Sequence, residues 1–133
     1  MNIVIEPISL IYSCKGELTE ETREGVFKVK PKLSAFEILE CDRDRRELLG
    51  NPKNDEQVSV PATNLAICLS QLRARIVDGP AWYKDSIGLR TDFLDENVIF
   101  DLFKKVVEIE TQWKENLKKT AQEAKDKLTK ENG

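Results

Sequence analysis

Residues 76–113 read IVDGPAWYKDSIGLRTDFLDENVIFDLFKKVVEIETQW, and this stretch decides the fold. It opens with a turn signal, Asp78-Gly79-Pro80, and continues through the aromatic pair Trp82 and Tyr83. Asp95 stands where a helix N-cap is expected, with Asp92 as the alternative. Val98 or Ile99, Leu102, Phe103, Val106, Ile109 or Glu110, Trp113 and Leu117 then recur at helical spacing. Both tryptophans of the chain lie here, and filling the core is the role expected of Trp82, Tyr83 and Trp113, with a recognition patch as the alternative. The segment 81–89 between turn and helix reads as extended or irregular.

Working back from that stretch, Ala62, Leu65, Ala66, Leu69, Leu72 and Ile76 share one helix face, broadened by Ile67 and Cys68. Pro61 suits the first position of this helix, and Asp78-Gly79-Pro80 is its expected stop. Residues 50–60 form a polar loop, the expected mobile segment. Ser34-Ala35-Phe36-Glu37 matches a capping box, which predicts a mostly solvated helix from there to about Leu49. Nearer the N-terminus, Ile8 to Ser13 reads as a strand and Lys15-Gly16 as a turn. ELTEETREG, residues 17–25, reads as a loop or a single helical turn. The alternation of VFKVKPKL predicts a second strand that Pro31 ends or marks as an edge.

The expected fold is therefore mainly α within an α+β class: three or more helices with a small N-terminal β hairpin or sheet. Residues 1–117 form one globular domain, and 118–133 a charged helical tail that is either frayed or ordered by a partner. A chain of 133 residues buries about two thirds of its unfolded surface without help from metal or disulfide. Charged residues make up 34% of it, which suits a small core under solvated helices or a protomer that hides surface in an assembly.

Chemistry is sparse. There is no histidine, so the commonest general base and metal ligand is missing. The glycines are scattered singly rather than gathered in a phosphate loop. Cys14, Cys41 and Cys68 form no CxxC pair, which argues against zinc and suits a reducing compartment. Cys41 and Cys68 are expected to be buried and inert, while Lys15 beside Cys14 could lower that thiol slightly. The acids near 92–96 are accounted for by a helix start. We expect no enzyme, no catalytic residues, no cofactor and no metal.

A net charge of −3 gives no footprint for nucleic acid, and no run approaches the roughly 20 apolar residues that span a bilayer. The segment MNIVIEPISLIYS lacks a basic region and a small-residue cleavage site, so the expected location is cytoplasmic. Neither nucleic acid nor membrane is an expected partner.

The 75–113 stretch resembles small proteins of phage and prophage tail modules: a proline-plus-aromatic element, a glycine, a Leu-Asp-x-Asn-Val helix start, then a helix ending at tryptophan. Here those positions are Pro80, Trp82, Gly88, Leu94, Asp95, Asn97, Val98 and Trp113. The nearest group is the tail assembly chaperones of long-tailed, lambda-like bacteriophages. Tyr83 stands where that pattern has a second tryptophan, and nothing after Leu117 matches it.

The resemblance implies a non-catalytic protein of the bacterial host cytoplasm that binds the helical tape measure protein, together with other tail proteins, while the tail tube assembles. Such a protein needs exposed apolar area and is expected to form homo-oligomers. The candidates for partner binding are Phe36, Leu48 and Leu49 on the charged helix, Phe27 and Val29 on the edge of strand 26–31, and Leu117 and Leu128 on the final helix. Two other readings stand beside it: a virion structural subunit, such as a head–tail connector or minor tail protein, and a nucleic-acid-associated regulator using the lysine-rich tail.

Overall fold

The computed structural model describes residues 5–54, 58–87 and 92–132. Its first unit is a β hairpin of β1, Ile8–Lys15, and β2, Thr22–Val29, paired antiparallel from Ile8 opposite Val29 to Lys15 opposite Thr22. The connecting turn closes where the Gly16 N–H donates to the Glu21 carbonyl at 2.8 Å and Glu20 adopts a left-handed φ of 63°. Both strands are longer than their sequence suggests, and residues 22–25 extend the ladder rather than forming a loop. Their apolar signal is silent because the inward positions there are Arg23 and Gly25. Gly25 is required by contact: a Cβ on it would lie 2.8 Å from the Pro80 ring.

A third strand, β3, Ile76–Asp78, pairs antiparallel with β2, giving the order β1-β2-β3. Its residues read as the end of a helix in the sequence. The helix stops instead at Arg75, because Ile76 turns to extended backbone and joins Val29 in the sheet. β-branched Ile76 and Val77 suit that conformation.

The helices begin largely as their caps dictate. In α1, Ala35–Leu48, Ser34 Oγ accepts from the Glu37 N–H while Glu37 Oε1 accepts from the Ser34 N–H, the expected reciprocal box. Only Cys41 of this helix is buried, so its solvated character is confirmed. In α2, Val60–Arg75, Ser59 caps the start and Pro61 sits in the first turn. Ala66, Cys68 and Leu72 face the core, while Ala62 and Ile67 are exposed. Of the polar loop at 50–60, residues 55–57 lie outside the described residues, as do Gly88 and Leu89 of the turn-and-aromatic segment. The described part of that segment is not extended: residues 81–87 coil into a short helix, π-type over Tyr83–Ile87. The last helix, α3, runs from Glu96 to Asn132.

The core is a layer between one face of the sheet and the two helices α2 and α3. Tyr12, Phe27 and Val29 meet Cys68, Leu72, Tyr83, Ile87, Val98, Ile99, Leu102 and Val106 there. Phe27 is its hub, standing edge-on to Tyr12, Trp82 and Tyr83 at 5.7, 5.7 and 5.4 Å between ring centroids. Fully burying such a ring is worth about 1.5–3 kcal/mol, before any gain from ring geometry. Trp82 and Tyr83 close the core as the sequence implies. Trp113 does not: it is half-buried and outside the core cluster, because α3 has begun to leave the body by that turn.

Candidate partner-binding surface

The structure separates the proposed contact residues into three groups. Phe27 and Val29 are fully buried, so neither offers surface to a partner. Strand parity explains this: on β2 the odd positions face the helices and the even ones face solvent. The strand edge at 28–30 is also taken, by β3 and by a bond from the Lys30 N–H to the Arg75 carbonyl at 2.7 Å. Leu48, Leu49 and Leu117 are half-buried. Phe36 and Leu128 are exposed, at 68% and 59%.

The exposed apolar surface is nevertheless real. Beside Phe36 on α1, Ile38 and Leu39 are also exposed, a patch that a thin count of core-facing residues overlooks. On the solvent face of the hairpin, Ile11 and Val26 are exposed and stand directly opposite one another. Along α3, the stripe of Val98, Leu102, Val106 and Ile109 passes into Trp113 and Leu117 and continues as Ala121, Ala124 and Leu128. Burial falls along it, and every residue from Lys118 to Thr129 is exposed. At 1.5 Å per residue, the helix beyond Leu117 reaches roughly 20 Å past the packed body.

The polar interior serves to hold elements together. Asp95 does not cap α3 with its side chain. Its carboxylate accepts from the N–H groups of Leu18 and Thr19, at 2.9 and 3.0 Å, and from the Thr19 hydroxyl. The Thr19 hydroxyl and these backbone donors hold the Asp95 carboxyl below its usual range. Gly16 must lie flat beside it, since a Cβ there would sit 2.2 Å from the carboxylate. Asn97 adds a bond from its side-chain amide to the Lys15 carbonyl at 2.9 Å. Tyr12 Oη donates to Asp101 Oδ2 at 2.9 Å; burial, then that carboxylate, pushes the phenol far above its ordinary value. Burial likewise pushes Tyr83 up to about 12.

Between α2 and α3, Arg75 pairs with Glu110 at 3.0 Å and with Gln71 at 2.8 Å, and Lys114 approaches Glu110 from the solvent side. All three thiols are raised by burial, so Cys14 is not activated by Lys15. A shallow cleft of about 310 Å³ between α1 and α2 is lined by Glu37, Cys41, Asp44, Ser70 and Arg73. Its guanidinium is held by both oxygens of Asp44 at 2.8 Å. A second cleft of about 240 Å³ is mostly apolar, lined by Leu48, Leu65, Leu69, Ile87, Phe93 and Ile99 with Arg73 and Asp92 among them. It has the size and character to receive an apolar side chain. Among the described residues, no group of three or more Cys, Asp or Glu is placed to hold a metal ion, and no helix is long and apolar enough to cross a membrane.

Comparison with family models, curated proteins and solved structures returns no match.

Proposed function

We propose that this chain is a non-catalytic tail assembly chaperone of a bacteriophage or prophage, binding the helical tape measure protein in the host cytoplasm. The observation that carries the reading is the uncovered continuation of the α3 stripe from Trp113 to Leu128. An amphipathic helix whose apolar face is uncovered among the described residues suits helix-on-helix capture of a long apolar chain. Phe36, Ile38 and Leu39 on α1 supply a second exposed area of the same kind. The lysines of the tail are interleaved with Glu115, Glu123, Asp126 and Glu131, which favours a protein helix over a polyanion. Self-association of protomers belongs to the same reading, since uncovered apolar area seldom stays unpaired.

The test is co-expression with the tape measure protein, followed by affinity capture and mass spectrometry of mature particles. The reading requires a soluble complex with the wild-type chain, its loss on Leu117→Lys with Leu128→Lys, and absence of the chain from finished particles. Presence in the particle at stoichiometric level would make it a virion subunit instead. Salt-sensitive DNA binding with no tape measure capture would make it a nucleic-acid regulator.

A further inference from the structure

We propose that two copies of the chain pair antiparallel through the free edge of β1, about a two-fold axis at Ile11, joining their sheets into one of six strands. The inference rests on the self-association part of the reading above and not on the identity of any partner helix. In the order β1-β2-β3, one side of β1 is paired and the other meets no strand among the described residues. The bond from the Gly16 N–H to the Glu21 carbonyl continues the hairpin ladder, so even-numbered residues of β1 exchange bonds with β2. Odd-numbered residues then point their backbone groups outward. The Lys15 carbonyl agrees, since it is met from that side by Asn97. Ser9, Ile11 and Ser13 therefore each present an N–H and a C=O to the open edge.

Natural proteins blunt such edges with lysine, proline or a bulge. Here those devices stand outside the edge, Pro7 before it and Lys15 after it, and residues 8–14 between them carry no charge. Side-chain parity allows only registers that set odd residues opposite odd ones. With Ile11 opposite Ile11 of the second copy, Ser9 falls opposite Ser13, and Lys15 falls beyond the paired region opposite Pro7. The exposed Ile11–Val26 pair becomes a continuous stripe of Val26, Ile11 and their symmetry mates.

Charge selects the same register. Lys28 lies opposite Ser9 and reaches over it, with Nζ 2.7 Å from Ser9 Oγ, so it leans toward the open edge. Glu24 lies opposite Ser13. The two-fold therefore places Lys28 of one copy and Glu24 of the other in one row, separated only by two serines, and repeats this on the other side of the axis. Shifting the register one step, to Tyr12 opposite Tyr12, would set Ser9 opposite Lys15 and bring Lys28 toward a like charge. A second copy fits this edge in charge, polarity and register together.

The experiment uses the full chain. Sedimentation of wild type across a dilution series should show a monomer–dimer equilibrium. Ile11→Lys, at a residue 87% exposed, should leave the monomer's thermal melt at high dilution unchanged and weaken dimerisation about tenfold or more by opposing two like charges at the axis. Ile11→Cys should give a reducible covalent dimer, because facing Cα atoms in a bonded pair lie about 5.5 Å apart, within disulfide reach. Val26→Cys should not, since its symmetry mate lies three strand spacings away, roughly 14 Å. A wild-type chain that stays monomeric would overturn both the edge and the self-association reading. A dimer indifferent to Ile11→Lys, or cross-linked equally by both cysteines, would overturn the edge alone. Failure to capture the tape measure protein would bear on neither.

Discussion

Asp95 binds Thr19 twice, through backbone N–H and hydroxyl, across 76 positions of sequence. The contact fastens the hairpin turn to the start of α3, so a residue expected to cap its own helix instead caps a turn at the other end of the chain. Asp95→Ala should lower Tm by several degrees and loosen the hairpin, visible as faster amide exchange at residues 16–21. Asp95→Asn, which keeps one acceptor, should lose less.

The same carboxylate gives a pH dependence. Its folded pKa is depressed, so its stabilising contribution is complete above the unfolded value, near 4, and is lost as pH falls toward the folded one. Glu37 behaves alike, held down first by the Lys30 ammonium and then by the Ser34 N–H. Denaturant titrations should show wild type losing stability below about pH 4, with a shallower fall in Asp95→Asn.

The two tyrosines, Tyr12 and Tyr83, both have raised pKa values. Groups raised in the fold stabilise below their unfolded pKa, near 10, and that contribution drains away as pH climbs toward the folded value. Tyrosinate absorbance should therefore stay flat through pH 10 and rise only with alkaline unfolding. Tyr12→Phe leaves the Asp101 carboxylate without this donor, while the Val98 carbonyl keeps its helical bond, and should cost about 1–2 kcal/mol. A gradual tyrosinate signal near pH 10 in a chain that keeps its circular dichroism would contradict this.

Arg75 joins α2 to α3 through Glu110, and both side chains are largely shielded. Arg75→Ala should destabilise by about 2–3 kcal/mol, less than a fully enclosed pair, because Lys114 still faces Glu110. A double-mutant cycle with Glu110→Gln should recover most of that as coupling.

Ending the chain after Leu117 removes only exposed side chains among those described from 118 to 129. Tm should change little while helical ellipticity falls, and capture of a partner helix should be lost. A large drop in Tm would show that the tail packs on the body.

Much of this architecture is legible in the residues. The capping box at Ser34, the apolar faces of α2 and α3, and the closure of the core by Trp82 and Tyr83 follow from local chemistry. What local chemistry hides is set by distant partners. The inward places of residues 22–25 are filled by Arg23 and Gly25, which carry no hydrophobic rhythm, so the strand is visible only through its pairing with β1. Ile76 continues a helical face in sequence but is claimed by Val29. For the candidate surface, alternation in VFKVKPKL correctly gives two faces yet does not say which is covered, and Phe27 and Val29 belong to the covered one. Ile11 was legible only as a strand residue, since its exposure depends on where the helices lie.

Tyr12 reaches Val98 and Asp101, so the first strand completes its surroundings only with residues from the last third of the polypeptide. Synthesis proceeds from the other end, so an emerging hairpin can meet Cys68, Leu72 and Tyr83 first but lacks the rest of its cover until the ribosome has released the opening turns of α3. Until then the part of the greasy layer that Val98, Leu102 and Val106 will cover stands open, so the order of translation itself creates an interval when neighbouring nascent copies can meet.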